Sequence, residues 1–226
     1  MGYDIIKKYQ GKINVWISEP DKGLYDAMNK GISVATGDII GILNSDDVFV
    51  SEDVLEKVVN FHMGHKIDAS IGNIVQCDDN GRIVRLYGSK NWKESKLLKG
   101  IMPPHPSIFI KRELFSRYGN YNLDFKIGAD YELITRYFLV KRILWKYSGV
   151  TTTSMLVGGK SSSGLSSYRI ITEEIHKSLL MNNVKHSSTM IRLRFFWKIG
   201  NIFCALVSNS NYKRLKLKPP NIKKAL

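Results

Sequence analysis

Two rhythms of apolar and polar positions alternate along the first third of the chain. Ile13–Ser18 and Ile39–Leu43 are short apolar runs suited to strands, and Tyr3–Tyr9 and Leu24–Thr36 carry helical spacing. Short runs alternating with helices predict βαβ units around a parallel sheet. Gly37 sits where the helix over Leu24–Thr36 would close on a left-handed residue. Ile39–Leu43 is unbroken enough to predict a strand buried on both faces. Ser51 is positioned to cap a helix over Glu52–Phe61, with Glu52 and Asp53 at its positive end.

Further on, Ala69–Cys77 and Arg82–Tyr87 flank Asp78-Asp79-Asn80-Gly81, a hairpin signal. A strand near Ser107–Ile110, a helix from Ala129 to about Val140, and strands within Ile143–Met155 follow. A Gly- and Ser-rich loop, Val157–Ser167, precedes a helix from about Tyr168 to Met181. The fold class expected is α/β, a mixed sheet flanked by helices.

Composition narrows the picture only where it is uneven. The net charge is +14, yet no acidic residue follows Glu174, and the 11 Lys and Arg beyond it leave +3 for residues 1–174. A nearly neutral body with a basic tail does not fit a nucleic-acid-binding domain, whose charge would spread across a face. It fits a folded domain, residues 1–182, followed by a basic appendage, 183–226. Between Ile191 and Leu206, helical spacing puts Phe195, Ile199, Ile202 and Phe203 on one face, opposite Arg194 and Lys198. Such a helix suits an anionic membrane surface, with Lys213 to Lys224 adding attraction, or else packs back on the domain. Cys77 and Cys204 have no metal or redox spacing. The N-terminal residues have neither the apolar core of a signal peptide nor that of an anchor. These features lead us to expect a cytoplasmic protein held peripherally at the inner face of the cell membrane.

Chemistry concentrates at Asn44-Ser45-Asp46-Asp47, just past the Ile39–Leu43 run. Ligands of open α/β sheets bind at the C-terminal ends of strands. Adjacent carboxylates repel, but they suit Mg²⁺ or Mn²⁺, which prefers oxygen ligands and bridges carboxylates to diphosphates. The alternative is that one Asp caps the next helix, a role Ser51 already fills. Asp130 falls in the first turn of its helix, where the positive helix end would keep it ionised, although an Asp there is also an ordinary stabilising choice. His105 lies between Pro104 and Pro106 on a stiff loop, facing a ligand or simply hydrogen-bonded within the fold. Gly158-Gly159-Lys160 is either a diphosphate-closing loop or a flexible linker.

Glu19-Pro20-Asp21-Lys22-Gly23-Leu24-Tyr25-Asp26-Ala27-Met28-Asn29-Lys30-Gly31, then Ala35-Thr36-Gly37-Asp38 and Asn44-Ser45-Asp46-Asp47, resemble the core of bacterial family 2 glycosyltransferases of the exopolysaccharide, capsule and O-antigen kind. Pro104-His105-Pro106-Ser107, Gly128-Ala129-Asp130-Tyr131-Glu132-Leu133 and Gly158-Gly159-Lys160-Ser161 continue the likeness in order.

The resemblance implies a GT-A, Rossmann-like fold and an inverting transfer from a nucleotide-sugar donor, UDP-linked by analogy, to a glycan or lipid-linked acceptor. It implies that Asp47, with Asp46, holds the metal, that Asp46 also contacts the donor, and that Asp130 is the catalytic base. It groups Asp21, Lys22, Gly23, Asn29 and Lys160 with the donor, and His105 and Tyr131 with the acceptor or phosphate. The family's opening strand and base-contacting loop have no counterpart here, so the fold is expected with its first strand missing. The competing expectations are a non-catalytic remnant and a basic module for membrane or nucleic acid.

Overall fold

The computed structural model describes residues 2–78, 80–157 and 164–194. The basic helix proposed to extend beyond Arg194, the Lys213–Lys224 run and Lys160 lie outside the described residues.

Strands β1 (Ile39–Gly41), β2 (Val48–Phe49), β3 (Ala69–Cys77), β4 (Ile83–Tyr87), β5 (Ile108–Lys111) and β6 (Trp145–Leu156) form one mixed sheet in the order β1-β5-β3-β6-β2. β4 shares with β5 the same edge of β3. Helices α1 (Gly2–Tyr9), α2 (Leu24–Val34), α3 (Val54–Met63), α4 (Glu113–Tyr118), α5 (Ala129–Ile134) and α6 (Gly164–Met181) surround it. The turns after α5 widen to π geometry over Thr135–Val140.

β3 organises the sheet because seven of its nine residues in succession are buried, from Ala69 to Val75. It pairs parallel with β6 along its whole length and antiparallel with β5 and β4. Gly72 is required at its centre: a Cβ there would lie 2.4 Å from the Val150 carbonyl oxygen, where the β3–β6 register shifts. The hairpin forms as expected, with Gly81 at φ +73° and the Asp78 carboxylate accepting N–H bonds from Asn80 and Arg82. On one side of the sheet the core gathers Leu97, Leu133, Ile134, Phe138, Ile175 and Leu179, all nearly or fully buried. Ile191, also fully buried, brings the chain beyond residue 182 back onto this core. Burial of each such side chain stabilises the fold by about 1.5–3 kcal/mol.

Five local expectations are corrected. The sheet is not parallel in its first part: β1 pairs antiparallel with β5, and among the described residues the one parallel pairing is β3 with β6. Residues 13–18 are not a strand; Val15, Trp16 and Ile17 are exposed, and no described strand lies alongside to bond them. A strand needs neighbours to satisfy its backbone, and apolar content alone does not provide them. β1 is short and only Ile40 is buried, because among the described residues its second edge has no partner. Gly37 is not left-handed; α2 ends at Val34 with Ala35 extended. Ser51 also does not cap: its hydroxyl bonds the Asp53 carboxylate at 2.6 Å, and Asp53 occupies the position before α3.

Candidate active site

Sheet direction brings the two carboxylate motifs to one end of the molecule. Gly41 of β1 pairs with Phe109 of β5, so the turn following β1 lies at the end where β5 begins, beside His105–Ser107. The next residues, Val48 and Phe49, pair with Ser154 and Thr153 of β6. Thr153 also donates its hydroxyl to the Pro106 carbonyl at 3.1 Å, and Ser107 donates to Gly72 at 3.2 Å. The Asn44–Asp47 turn and the His105 turn are therefore both seated on the same stretch of β6.

Within the first turn, the Asp47 N–H donates to the Asn44 carbonyl at 3.1 Å, and the Asn44 amide reaches the Asp47 carboxylate at 3.3 Å. Asp47 is 5% exposed, whereas Asp46 is exposed. Burial first, then the Asp46 charge, push the Asp47 carboxyl up to about 6, against the pull of Asn44. No group of three or more His, Cys, Asp or Glu side chains forms a metal cluster among the described residues. The oxygen-only pair nevertheless fits a hard divalent cation that completes its coordination with a diphosphate. A buried carboxylate whose nearest charge is another carboxylate is the group such a cation relieves.

Around Asp130 the side chains form a tight cluster. His105 Nε2 and the Tyr121 hydroxyl are 2.6 Å apart, and Tyr121 stacks on Tyr25 at 5.6 Å between ring centres. The Tyr25 hydroxyl donates to the Ile127 carbonyl and lies 3.4 Å from Asp130 Oδ1. Oδ1 also accepts the Tyr131 N–H at 2.8 Å. Burial holds Asp130 above the ordinary carboxylate range, although His105 and these hydrogen bonds pull the other way. Desolvation works against the expected pull of the helix end and makes Asp130 hold its proton more tightly than an ordinary carboxyl. Burial lowers His105, with Asp130 opposing, so its neutral form is favoured.

The remaining site residues divide. Asp21 accepts the Gly23 N–H at 2.8 Å, and Gly23, at φ +119°, precedes α2. Lys22 donates its N–H to Asp26 at 2.9 Å. Asp21 borders a cleft of about 420 Å³ between residues 14–21 and α2, also lined by Ile17, Lys30 and Val34. Asn29 is engaged elsewhere: its amide bonds the backbone N–H and carbonyl of Tyr121, both at 2.9 Å. Tyr131 is in the core, its hydroxyl donating to the Leu97 carbonyl. Sequence reasoning missed Tyr25 and Tyr121. Tyr25 lies inside a quoted motif but reads as an ordinary apolar helix position, and Tyr121 has no motif at all. Arg136 positions the latter's loop, donating to the carbonyls of Gly119 and Asn120 at 2.7 Å while paired with buried Glu132 at 2.8 Å.

Residues 3–123 match the glycosyl transferase family 2 domain. The chain belongs to this family. The match includes Asp21, Asp46, Asp47 and His105 and stops short of Asp130. A "PGL/p-HBAD biosynthesis glycosyltransferase" of Mycobacterium bovis is 32% identical over 166 residues, covering 73% of this chain and 60% of that protein. An uncharacterised glycosyltransferase of Mycobacterium tuberculosis is 37% identical over 126 residues, 55% of this chain and 48% of its own length. The chain thus spans about half to three fifths of these relatives. Residues 1–349 of Staphylococcus aureus TarS superpose with TM-score 0.59 at 16% identity, covering 96% of this chain and 62% of that fragment. Its complex with UDP superposes at TM-score 0.55, covering 84% and 56%. The GT-A fold expected from the motifs is thereby established.

Proposed function

We propose that this family 2 chain transfers a sugar from a nucleoside-diphosphate donor, a UDP-sugar, to a hydroxyl acceptor with inversion at the anomeric carbon. The observation that carries this reading is the buried Asp47 carboxylate paired with Asp46, at the sheet end shared with the His105–Tyr121–Asp130 cluster. UDP bound to TarS supports the choice of nucleotide.

Asp46 and Asp47 would hold a divalent cation, Mn²⁺ or Mg²⁺. When bound, it offsets negative charge on the leaving diphosphate. Asp130 accepts the acceptor's hydroxyl proton as the oxygen bonds to the anomeric carbon and the diphosphate departs with its electron pair. Its raised pKa makes the ionised form a stronger base. The Tyr25 hydroxyl, held by the Ile127 carbonyl, flanks the carboxylate at 3.4 Å, and Tyr121 with His105 completes the cluster. Asp21, Lys22 and Gly23 shape the turn ahead of the cleft and lie toward the nucleoside in this reading. The basic tail favours a lipid-linked or surface-glycan acceptor met at a membrane.

UDP release from UDP-sugars in the presence of Mn²⁺ tests the reaction. Asp130→Asn is expected to lower it by about 10²-fold or more, the scale of one general base. Undiminished release by that variant would remove Asp130 from the chemistry.

A further inference from the structure

Glu174 stands in none of the motifs, yet it is 8% exposed on α6 and directed at the segment that delivers Asp130. Its Oε1 accepts the Lys126 N–H at 2.6 Å, and its Oε2 accepts those of Ile127 at 3.0 Å and Gly128 at 2.7 Å. Bonds from three successive main-chain donors to one carboxylate are charge-assisted and fix the local backbone. The next residues, Ala129 and Asp130, begin α5.

The same stretch holds the Tyr25 hydroxyl through the Ile127 carbonyl, and that hydroxyl is the one facing Asp130. One turn along α6, Lys177 donates to the Asp124 carbonyl at 2.8 Å and sits 4.7 Å over the Phe125 ring. α6 therefore grips residues 124–128 from one side. The fit is close: a Cβ on Gly128 would lie 3.1 Å from Glu174 Oε2 and 3.3 Å from its Cβ.

We propose that Glu174 is a positioning residue for glycosyl transfer: by fixing the backbone of residues 126–128 it orients Asp130 and the Tyr25 hydroxyl. The proposal rests on the reading of Asp130 as base. Glu174→Gln keeps the size of the side chain but places an amide against N–H donors, which opposes the arrangement.

The test compares wild type, Glu174→Gln, Glu174→Asp and Asp130→Asn in two ways. One is amide hydrogen exchange at Tyr131, whose N–H bonds Asp130 and not Glu174. The other is kcat and KM for UDP release from UDP-glucose with Mn²⁺. Glu174→Gln is expected to exchange faster at Tyr131 by about 10-fold and to lose kcat by about 10-fold or more, with KM for UDP-glucose little changed, as when an interaction is lost only in the transition state. Glu174→Asp, retaining the charge, recovers part of both. A Glu174→Gln protein that melts earlier but keeps wild-type kcat and Tyr131 exchange overturns the proposal. If UDP-glucose is not turned over, Tyr131 exchange alone decides. If Glu174→Gln does not fold, Gly128→Ala, which crowds the same carboxylate, is expected to speed Tyr131 exchange, and unchanged exchange refutes the idea. Full UDP release by Asp130→Asn instead removes the underlying assignment of the base.

Discussion

Asp47 sits where its charge is unfavourable, buried and next to Asp46, with its carboxyl pushed up to about 6 from the ordinary 3.8. A carboxyl whose pKa rises on folding opposes stability once pH climbs through the folded value, and contributes no such penalty below the unfolded one. In metal-free buffer, Asp47→Asn should therefore stabilise the protein by about 1 kcal/mol at neutral pH, with the gain vanishing below about pH 4. Urea unfolding at the two pH values measures this; a destabilised variant at neutral pH would contradict the account of the turn. Asp130 is also raised, mainly by burial. Transfer should consequently rise with pH as the carboxyl loses its proton, a dependence that the kcat profile reads directly and that the Asp130→Asn variant should lack.

At the scale of single residues, what the sequence disclosed was the polar pair at a strand end and the Asp at a helix start. Tyr25, Tyr121 and Glu174 remained hidden because each acts through contacts made across the fold: the ring of Tyr121 meets Tyr25 from a segment 96 positions away in the chain, and Glu174 reaches backbone donors 46 to 48 positions away.

Among the elements, local rules sufficed where the determinants were local. The β3–β4 hairpin follows from Asp78 and Gly81, and α5 begins at Ala129 as expected, whereas α6 begins at Gly164, inside the segment expected as a loop. Strand pairing is not local. Residues 13–18 have the composition of a strand but no described neighbour to bond, and among the described residues β1 is bordered on one side alone. Antiparallel neighbours joined by long connections, such as β1 with β5, leave no sequence signature. Two substitutions separate these cases. Ile17→Lys, at a 42% exposed position, should change stability by less than about 0.5 kcal/mol. Gly72→Ala, which sets a Cβ 2.4 Å from the Val150 carbonyl oxygen, should cost about 1–3 kcal/mol or more, since a backbone atom must move. Denaturant midpoints of the two variants check both, and a large loss from Ile17→Lys would place that segment in the core.

For the whole molecule, charge and length set the terms. The body is close to neutral while the 11 basic residues after Glu174 concentrate the charge of +14 toward one end of the chain. Among the described residues no helix is long and apolar enough to cross a membrane. Attraction of about 1 kcal/mol per basic residue near an anionic surface leads us to expect co-sedimentation with phosphatidylglycerol vesicles that weakens as salt is raised; indifference to lipid charge would remove the membrane from this proposal. The chain spans 48% and 60% of two curated relatives, and so the donor site must be tested in the chain as it stands. Calorimetric titration of UDP, with and without Mn²⁺, into the wild type and Asp47→Ala does so. Binding that requires both Mn²⁺ and Asp47 is the result predicted here. A well-folded protein that binds no UDP, or binds it equally without the metal and without Asp47, would contradict the claim that this turn holds a metal–diphosphate donor.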